Sequence, residues 1–204
     1  MIAAILLAAG ESTRMGQPKA LLPWAASTLL EVQIQALCGA GIEKIIVVTG
    51  AFADQIEPIA RRYPVTIAHN PRYREGRSTS IETGARSLLP GISAILLANV
   101  DQPRPASIVT QLIEAHKDSN HLISRPAIGE EHGHPTIFSA ELLPELLTLS
   151  EECEGLKNVI RRNESQIQNV QFDDEMVLLN LNDPEAYELG RARFEHLWMQ
   201  SAAG

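Results

Sequence analysis

Short apolar runs of strand length alternate along the chain with longer stretches in which apolar residues recur every three or four positions. A continuous apolar run predicts a strand that is buried on both faces, and a period of about 3.6 residues predicts an amphipathic helix. The predicted strands span residues 2–7, 44–49, 65–68, 94–98, 122–124, 135–138, 166–171 and 177–179. The predicted helices span residues 28–37, 54–62, 80–88, 107–117, 140–149 and 156–162, and a last helix begins at 183–184.

Two helix starts carry a specific signal. Thr28 and Glu31 have the spacing of a capping box, and Asp183 before Pro184 is typical of an N-cap followed by proline at the first helical position. The alternation of strands and helices predicts an α/β fold whose central sheet is mostly parallel and covered by helices on both faces. No linker or internal repeat interrupts the chain, so we expect one domain over residues 1–204. Ligands of such sheets bind beyond the carboxyl ends of the strands, which is where we look for chemistry.

The first predicted strand runs into a loop suited to phosphate. The small residues Ala8, Ala9 and Gly10 let the backbone approach a ligand closely, and Arg14 and Lys19 add two cations. The spacing matches neither Gly-x-Gly-x-x-Gly nor the P-loop pattern. On these residues alone, a surface turn with incidental cations stays open as the alternative to a polyphosphate site.

A carboxylate follows another buried strand. Asp101 comes three residues after the predicted strand 94–98, and a carboxylate at the carboxyl end of a strand, across from a phosphate loop, is well placed to hold Mg²⁺. Its alternative role is to cap the helix that starts near Pro105, but Asp101 lies too early for a clean cap. Magnesium is therefore the expected cofactor.

Residues 7–23, Leu-Ala-Ala-Gly-Glu-Ser-Thr-Arg-Met-Gly-Gln-Pro-Lys-Ala-Leu-Leu-Pro, resemble the signature of the nucleotidyltransferase superfamily that contains the molybdenum cofactor cytidylyl- and guanylyltransferases. The resemblance implies a three-layer, Rossmann-like nucleotidyltransferase fold in which this loop wraps a nucleoside triphosphate. It implies that Ala8, Ala9, Gly10, Arg14 and Lys19 bind the nucleotide. Arg14, Lys19 and Asp101 become the expected catalytic residues.

Three further segments resemble the same family. Residues 97–103 are similar to its Leu-Ala-x-x-Asp-x-Pro segment, whose aspartate binds the metal, although Asn99 stands where relatives usually have aspartate or glycine. Gly76, Ser78 and Ser80 resemble the loop that touches the base in the cytidylyltransferase branch, whereas we expect the nearby Arg72 and Arg74 to be solvated. Asn182 lies in a segment similar to the family's Asn-x-Asn-Thr-Pro-Glu. It is a candidate metal ligand or nucleotide contact.

The segment Glu131-His132-Gly133-His134-Pro135 places two histidines at strand spacing, so that both lie on one face. Zinc would need at least a third ligand, which the sequence does not supply convincingly. In the family a turn of this type borders the acceptor pocket, so His134 is expected to bind substrate. A purely structural or hydrogen-bonding role is the alternative.

Composition narrows the partners. The formal net charge of −8 argues against general nucleic-acid binding, which needs a broad basic surface. Cys38 and Cys153 do not form a disulfide framework. The apolar run at residues 2–9 lacks a basic flank, and no window reaches the roughly 20 apolar residues of a membrane span. We therefore expect a cytoplasmic protein without a membrane partner.

The expected function is transfer of a nucleoside monophosphate, CMP from CTP, to a phosphorylated acceptor of the molybdopterin type with release of pyrophosphate. Ala9 favours CTP over GTP, because relatives that use GTP tend to have glycine there. Three alternatives stay open: a nucleotidyltransferase for another acceptor such as a sugar phosphate, a GTP-using guanylyltransferase, and a non-catalytic nucleotide-binding accessory protein. The joint presence of Arg14, Lys19 and Asp101 counts against the last.

Overall fold

The computed structural model describes the backbone of residues 1–201 and the side chains of residues 1–195. The strands are β1 (Ile2–Ala8), β2 (Pro23–Trp24), β3 (Ser27–Thr28), β4 (Lys44–Thr49), β5 (Thr66–His69), β6 (Ala94–Asn99), β7 (Ile123–Ile128), β8 (Glu131–His132), β9 (Thr136–Ser139) and β10 (Ile167–Gln171). The α-helices are α1 (Leu29–Gly39), α2 (Ala53–Ala60), α3 (Arg77–Arg86), α4 (Ala106–Lys117), α5 (Leu143–Leu146), α6 (Gly155–Arg162) and α7 (Pro184–Ser201).

The central sheet has the strand order β10-β7-β9-β6-β1-β4-β5, and β8 pairs with β7 outside this path. β1 lies at the middle, where it pairs in parallel with β4 on one side and with β6 on the other. β9 runs antiparallel to both of its neighbours, β6 and β7. The sheet is therefore mostly parallel, with one antiparallel strand inserted near its centre, and the predicted fold class is confirmed.

Helices cover both faces of the sheet, because the strands carry apolar side chains in both directions. On one face Leu6 of β1 belongs to a core that includes α1, α2 and α4. On the other face Ile5 and Leu7 belong to a second core that includes Ile81 of α3 and Leu146 of α5. These two cores make the three layers expected from the alternating pattern. Of the helices in the described part of the chain, none combines the length and hydropathy needed to cross a bilayer.

Both predicted helix starts are confirmed. The Thr28 side chain accepts a hydrogen bond from the Glu31 backbone N–H at 3.3 Å, and the Thr28 hydroxyl donates to the Glu31 carboxylate at 2.8 Å. At the start of α7 the Ala186 backbone N–H donates to Asp183 Oδ1 at 2.9 Å. The contacts of the Glu31 and Ala186 N–H groups each satisfy one of the N–H groups that the first turn of a helix leaves unpaired.

Three predictions about elements are wrong or misplaced. Residues 177–179 do not form a strand: Val177 and Leu178 belong to a 3₁₀ turn, Glu175–Leu178, and Leu179 follows it. The carbonyl groups of Val177 and Leu179 accept hydrogen bonds from a buried arginine, and that of Val177 also accepts from the His134 N–H. The helix predicted at 80–88 begins at Arg77, directly after Gly76. The helix predicted at 140–149 is a 3₁₀ turn followed by the short α5.

Candidate functional site

A cleft of about 310 Å³ opens at the carboxyl edge of the sheet. Its walls are the loop after β1, the turn before α3, the loop after β6 and the segment before α7. Nine of the residues predicted from the sequence line this cleft: Ala8, Ala9, Gly10, Arg14, Lys19, Gly76, Ser80, Asp101 and Asn182. Segments far apart in the chain therefore meet at the edge where an α/β sheet binds ligands.

The loop after β1 folds back toward the sheet. Ser12 and Gly16 adopt left-handed backbone conformations, with φ of 50° and 66°. The Met15 N–H donates to the Ser12 carbonyl at 2.9 Å, and the Lys19 N–H donates to Ser12 Oγ at 3.0 Å. This local bonding holds Lys19 near the strand edge from which the loop left.

Lys19 and Asp101 form an ion pair across the cleft floor. The distance from Lys19 Nζ to Asp101 Oδ2 is 2.8 Å, and the two side chains are only 13% and 22% exposed. The Leu181 N–H donates to the Asp101 carbonyl at 2.8 Å, which places Asn182 beside this pair. The predicted phosphate loop, the predicted metal carboxylate and Asn182, the candidate second ligand or nucleotide contact, thus meet near Asp101.

Arg14 is exposed at the cleft. Among the side chains that the structure describes, none forms an ion pair or hydrogen bond with its guanidinium. Its donors remain available to an anion that enters the cleft, and a guanidinium can hold a phosphate with two parallel hydrogen bonds.

The turn before α3 brings Gly76 and Ser80 to the cleft but not Ser78. Gly76 has a φ of 117°, and a Cβ there would lie within 2.5–2.7 Å of the Glu151 side chain, so the position requires glycine. Ser80 Oγ accepts from Asn70 Nδ2 at 2.9 Å. Ser78 lies outside the cleft, where its N–H donates to Glu151 Oε1 at 2.6 Å. Positions 77 and 80 share a helix face because they are three apart, whereas position 78 points elsewhere.

His134 also lies outside the cleft. It lines a separate cavity of about 10 Å³ together with Asn99, Gln102 and Arg104, and its peptide bond to Pro135 is cis. Burial lowers the pKa of His134 to about 4, and the charges of Arg104 and Arg77 act in the same direction. The imidazole is therefore neutral at physiological pH.

A buried arginine that sequence reasoning missed joins the loops behind the site. Arg104 is 1% exposed, and its guanidinium donates to main-chain carbonyl groups only, those of Pro103, His134, Val177 and Leu179, at 2.7–2.9 Å. Burial lowers its pKa to about 9, so it remains charged at neutral pH. A cation between two prolines, three residues after Asp101, is the sequence signal that could have drawn attention to it.

Arg77 is the second missed residue. It lines the cleft, and its guanidinium donates to Asn99 Oδ1 at 3.1 Å, while Asn99 Nδ2 donates to Gln102 Oε1. The sequence feature that could have pointed to Arg77 is the occurrence of three arginines within six residues, at positions 72, 74 and 77. From the sequence we expected Arg72 and Arg74 to be solvated, and no role followed for Arg77.

The donor set near Asp101 fits magnesium better than zinc. The carboxylate of Asp101 and the side-chain amide of Asn182 both line the cleft. Magnesium is usually held by one or two carboxylates together with substrate phosphates, and it does not require an all-protein cage. In the residues whose side chains are described, no three histidine, cysteine or acidic residues cluster as a metal site would need.

Comparison with known proteins gives consistent results. Residues 4–169 match the family model of the MobA-like NTP transferase domain. The molybdenum cofactor cytidylyltransferase of Escherichia coli (strain K12) is 25% identical over 199 residues, which are 95% of this chain and 97% of the relative. The nicotine blue oxidoreductase of Paenarthrobacter nicotinovorans is 28% identical over 85% of this chain and 88% of the relative.

The solved structure of a nucleotidyl transferase from Methanothermobacter thermautotroptrophicus superimposes with a TM-score of 0.81 at 27% identity, and the match covers 97% of this chain and 99% of that one. The two relatives named above carry different activities in their names. Similarity at this level therefore identifies the family and leaves the substrate to the chemistry of the site.

Proposed function

The chain belongs to the MobA-like NTP transferase domain family, and from this premise we propose that it is a magnesium-dependent enzyme that transfers CMP from CTP to a phosphorylated acceptor of the molybdopterin type. Pyrophosphate is the second product. That the chain is a nucleotidyltransferase follows from the family and from its relatives. The nucleotide, the metal and the acceptor are the proposed part.

The contact between Lys19 and Asp101 carries the proposal. A cation from the first loop and a carboxylate from the end of β6 lie 2.8 Å apart in one cleft. A triphosphate with a divalent cation has both partners for such a pair, since Lys19 can bind a phosphate oxygen and Asp101 the cation. A surface turn with incidental cations would not bring these two groups together in a partly buried position.

Asp101 and Asn182 are the residues that would hold magnesium. When bound there, the metal neutralises charge on the triphosphate and polarises the phosphorus that is attacked. The ion pair with Lys19 holds the Asp101 carboxylate in position in the protein without nucleotide. A group positioned before the reaction costs less reorganisation during it.

The reaction requires little covalent participation from the protein. An oxygen of the acceptor phosphate forms a bond to the α-phosphorus of CTP, and the bond from this phosphorus to the bridging oxygen breaks. The bonding pair leaves with pyrophosphate. A phosphate monoester is largely ionised at neutral pH, so no general base is needed. Arg14 and Lys19 stabilise the charge that accumulates toward pyrophosphate, and positioning supplies the rest.

The preference for CTP is supported by Ala9. This residue is 4% exposed at the cleft wall, and its carbonyl accepts from the Ala51 N–H at 3.1 Å. A Cβ at Gly50 would lie 2.9 Å from Ala9 Cβ, so the alanine methyl group is closely confined. A confined methyl group restricts the space beside the nucleotide. The molybdopterin acceptor is supported by the Escherichia coli relative, which matches over nearly the whole chain.

Pyrophosphate release tests the proposal. The purified protein is incubated with Mg²⁺, molybdopterin and each of the four nucleoside triphosphates. We expect release with CTP, and a loss in kcat of about 100-fold or more in Asp101→Asn, because metal coordination contributes several kcal/mol to transition-state stabilisation. Asp118→Asn, at an exposed position after α4, is the matched control and should retain activity.

The alternatives predict different results in the same assay. Release with sugar phosphates but not with molybdopterin would indicate another acceptor. Release with GTP alone would indicate a guanylyltransferase. Binding of CTP without pyrophosphate release, with molybdopterin or any sugar phosphate, would contradict an enzymatic role and favour the nucleotide-binding accessory protein.

A further inference from the structure

Arg77 differs from the other arginines around α3 in its partners. Arg72 and Arg86 both contact the Glu82 carboxylate at 2.8 Å, and Arg74 contacts Glu11 at 3.1 Å. Within the part of the chain whose side chains are described, Arg77 has no ion pair and one side-chain hydrogen bond, to the neutral Asn99. Most of its five N–H donors are therefore available on the cleft side.

Arg77 and Lys19 reach the end of β6 from segments that pack on different faces of the sheet. Ala20, which follows Lys19, packs in the core on the α1 side of the sheet. Ile81, one helical turn after Arg77, packs in the core on the α3 side. Lys19 contacts Asp101, and Arg77 contacts Asn99 two residues earlier. The two cations therefore reach the end of β6 from different segments and line the same cleft.

Arg77 lines the cleft, and its charge also acts on His134. Its charge contributes to the lowered pKa of His134, as does that of Arg104. The surrounding protein lowers the pKa of Arg77 itself, while the charges of Asp101 and Glu151 oppose this shift. An arginine remains protonated under these conditions. The chain thus keeps an exposed positive charge in the cleft next to Asn99.

Resting on the proposed function, we propose that Arg77 binds the oxyanion of the acceptor, a phosphate or phosphonate group, and so defines the acceptor side of the cleft. An in-line displacement requires the attacking oxygen and the leaving oxygen to lie on opposite sides of the α-phosphorus. Arg14 and Lys19 serve the leaving pyrophosphate. Arg77, a further cation of this cleft that is bound to Asn99 and not to Asp101, is suited to hold the attacking group.

Asn99 and Gln102 orient this arginine. The hydrogen bond from Asn99 Nδ2 to Gln102 Oε1 fixes the amide of Asn99, so that Asn99 Oδ1 faces the guanidinium. A neutral amide partner orients an arginine without neutralising it, whereas a carboxylate would compete with an incoming phosphate. The asparagine at position 99 is therefore consistent with an anion-binding role for Arg77.

The test uses probes that do not depend on the natural acceptor. Wild type and Arg77→Met are saturated with Mg²⁺ and cytidine 5′-(α,β-methylene)triphosphate, and methyl phosphate is titrated by ³¹P NMR. We expect Arg77→Met to bind methyl phosphate about tenfold more weakly or worse, with unchanged affinity for the nucleotide analogue, as loss of one charge-assisted contact requires. Arg77→Lys should fall between the two proteins.

Controls show whether weaker binding of methyl phosphate comes from the loss of Arg77 itself. Arg86→Met removes an exposed arginine from the same helix and should behave as wild type, and circular dichroism checks that each variant is folded. Acetate replaces methyl phosphate in one arm, and it should bind weakly to all proteins if the site recognises a phosphate-type anion.

The outcomes distinguish this inference from the proposed function. If Arg77→Met binds methyl phosphate as wild type does, or if its loss is confined to the nucleotide analogue, the acceptor role is wrong while the nucleotidyltransferase function stands. Failure of wild type to bind methyl phosphate at all would have the same meaning. If wild type does not bind the cytidine analogue with Mg²⁺, the proposed use of CTP itself fails.

Discussion

Lys19 Nζ lies 2.8 Å from Asp101 Oδ2, and this ion pair joins two segments that are 82 residues apart in the chain. In the protein without nucleotide each group satisfies the charge of the other. When a triphosphate and a divalent cation enter, each group has a new partner. The pair therefore keeps the site ordered and also competes weakly with the ligands that it serves.

Replacement of Lys19 by methionine should have opposite effects on the two ligands. Without its ammonium partner Asp101 carries an unpaired charge, so Mg²⁺ alone should bind more tightly than to wild type. CTP should bind more weakly, and kcat/KM should fall about 10- to 100-fold, as expected for one hydrogen bond to a charged group. Isothermal titration with each ligand measures both effects, and Lys117→Met, at an exposed position, is the control. A parallel loss of Mg²⁺ and CTP affinity would contradict this role for Lys19.

Much of the fold was predictable from the sequence, because buried parallel strands leave a strong local pattern. The range predicted for β4 matches its observed bounds, and the caps at Thr28 and Asp183 were visible in a few residues. The antiparallel insertion of β9 between β6 and β7 was not predictable, because strand order depends on long-range packing and leaves no local pattern.

The site was predictable only where neighbouring residues determine it. The loop from Ala8 to Lys19 lies at the cleft as expected, because it follows directly from the end of β1. Ser78 was misplaced because α3 begins at Arg77, and the starting residue decides which side chains face the cleft. The importance of Arg77 could not be read locally, since it depends on Glu82 and Glu11 pairing with its neighbours Arg72 and Arg74.

Replacement of Ala9 by glycine should relax the choice of nucleotide. Removal of the confined methyl group leaves more space at the cleft wall. We expect kcat/KM for CTP divided by kcat/KM for GTP to fall by about tenfold, since one methyl group is worth about 1–3 kcal/mol of discrimination. The unfolding free energy should fall by about 1 kcal/mol, because glycine adds chain entropy and removes buried apolar surface. Ala3→Gly, in the preceding strand β1 and away from the residues that line the cleft, is the control, and it should lose stability without a change in preference.

Arg104 is expected to stabilise the fold more than its polar character suggests. Arg104→Met leaves the carbonyl groups of His134, Val177 and Leu179 without this donor, and we expect a loss of about 3 kcal/mol or more in urea unfolding, because buried unpaired polar groups cost about 1–3 kcal/mol each. Arg104→Lys should recover part of the loss. The exposed Arg161→Met is the matched control and should change stability by about 0.5 kcal/mol or less. A small effect at position 104 would show that water replaces the guanidinium there.

Substitutions of Ser78 and Ser80 test whether both serines contact the nucleotide, as expected from the sequence, or only Ser80, as the structure indicates. Ser80→Ala should raise KM for CTP several-fold, because Ser80 lines the cleft. Ser78→Ala should leave KM for CTP unchanged, because this side chain faces Gly155 and Glu151 outside the cleft. Initial rates over a range of CTP concentrations measure both values. Equal increases in KM would support the expectation from sequence that both serines touch the nucleotide.

The stability of the protein should depend on the protonation of His134. Its pKa is about 4 in the folded protein, against about 6.5 in an unfolded chain, so between these values the unfolded state binds more protons than the folded state. The contribution of His134 to the unfolding free energy is therefore absent above about pH 6.5, and it becomes increasingly destabilising as the pH falls toward 4.

His134→Gln removes this titration. Urea unfolding of wild type and variant at half-unit steps should show wild type losing stability relative to the variant as the pH falls through this window. The His134 ring resonance, assigned by its absence from the variant, should titrate with a midpoint near pH 4. A midpoint near 6.5 would mean that the imidazole is solvated and not held beside Arg104 and Arg77.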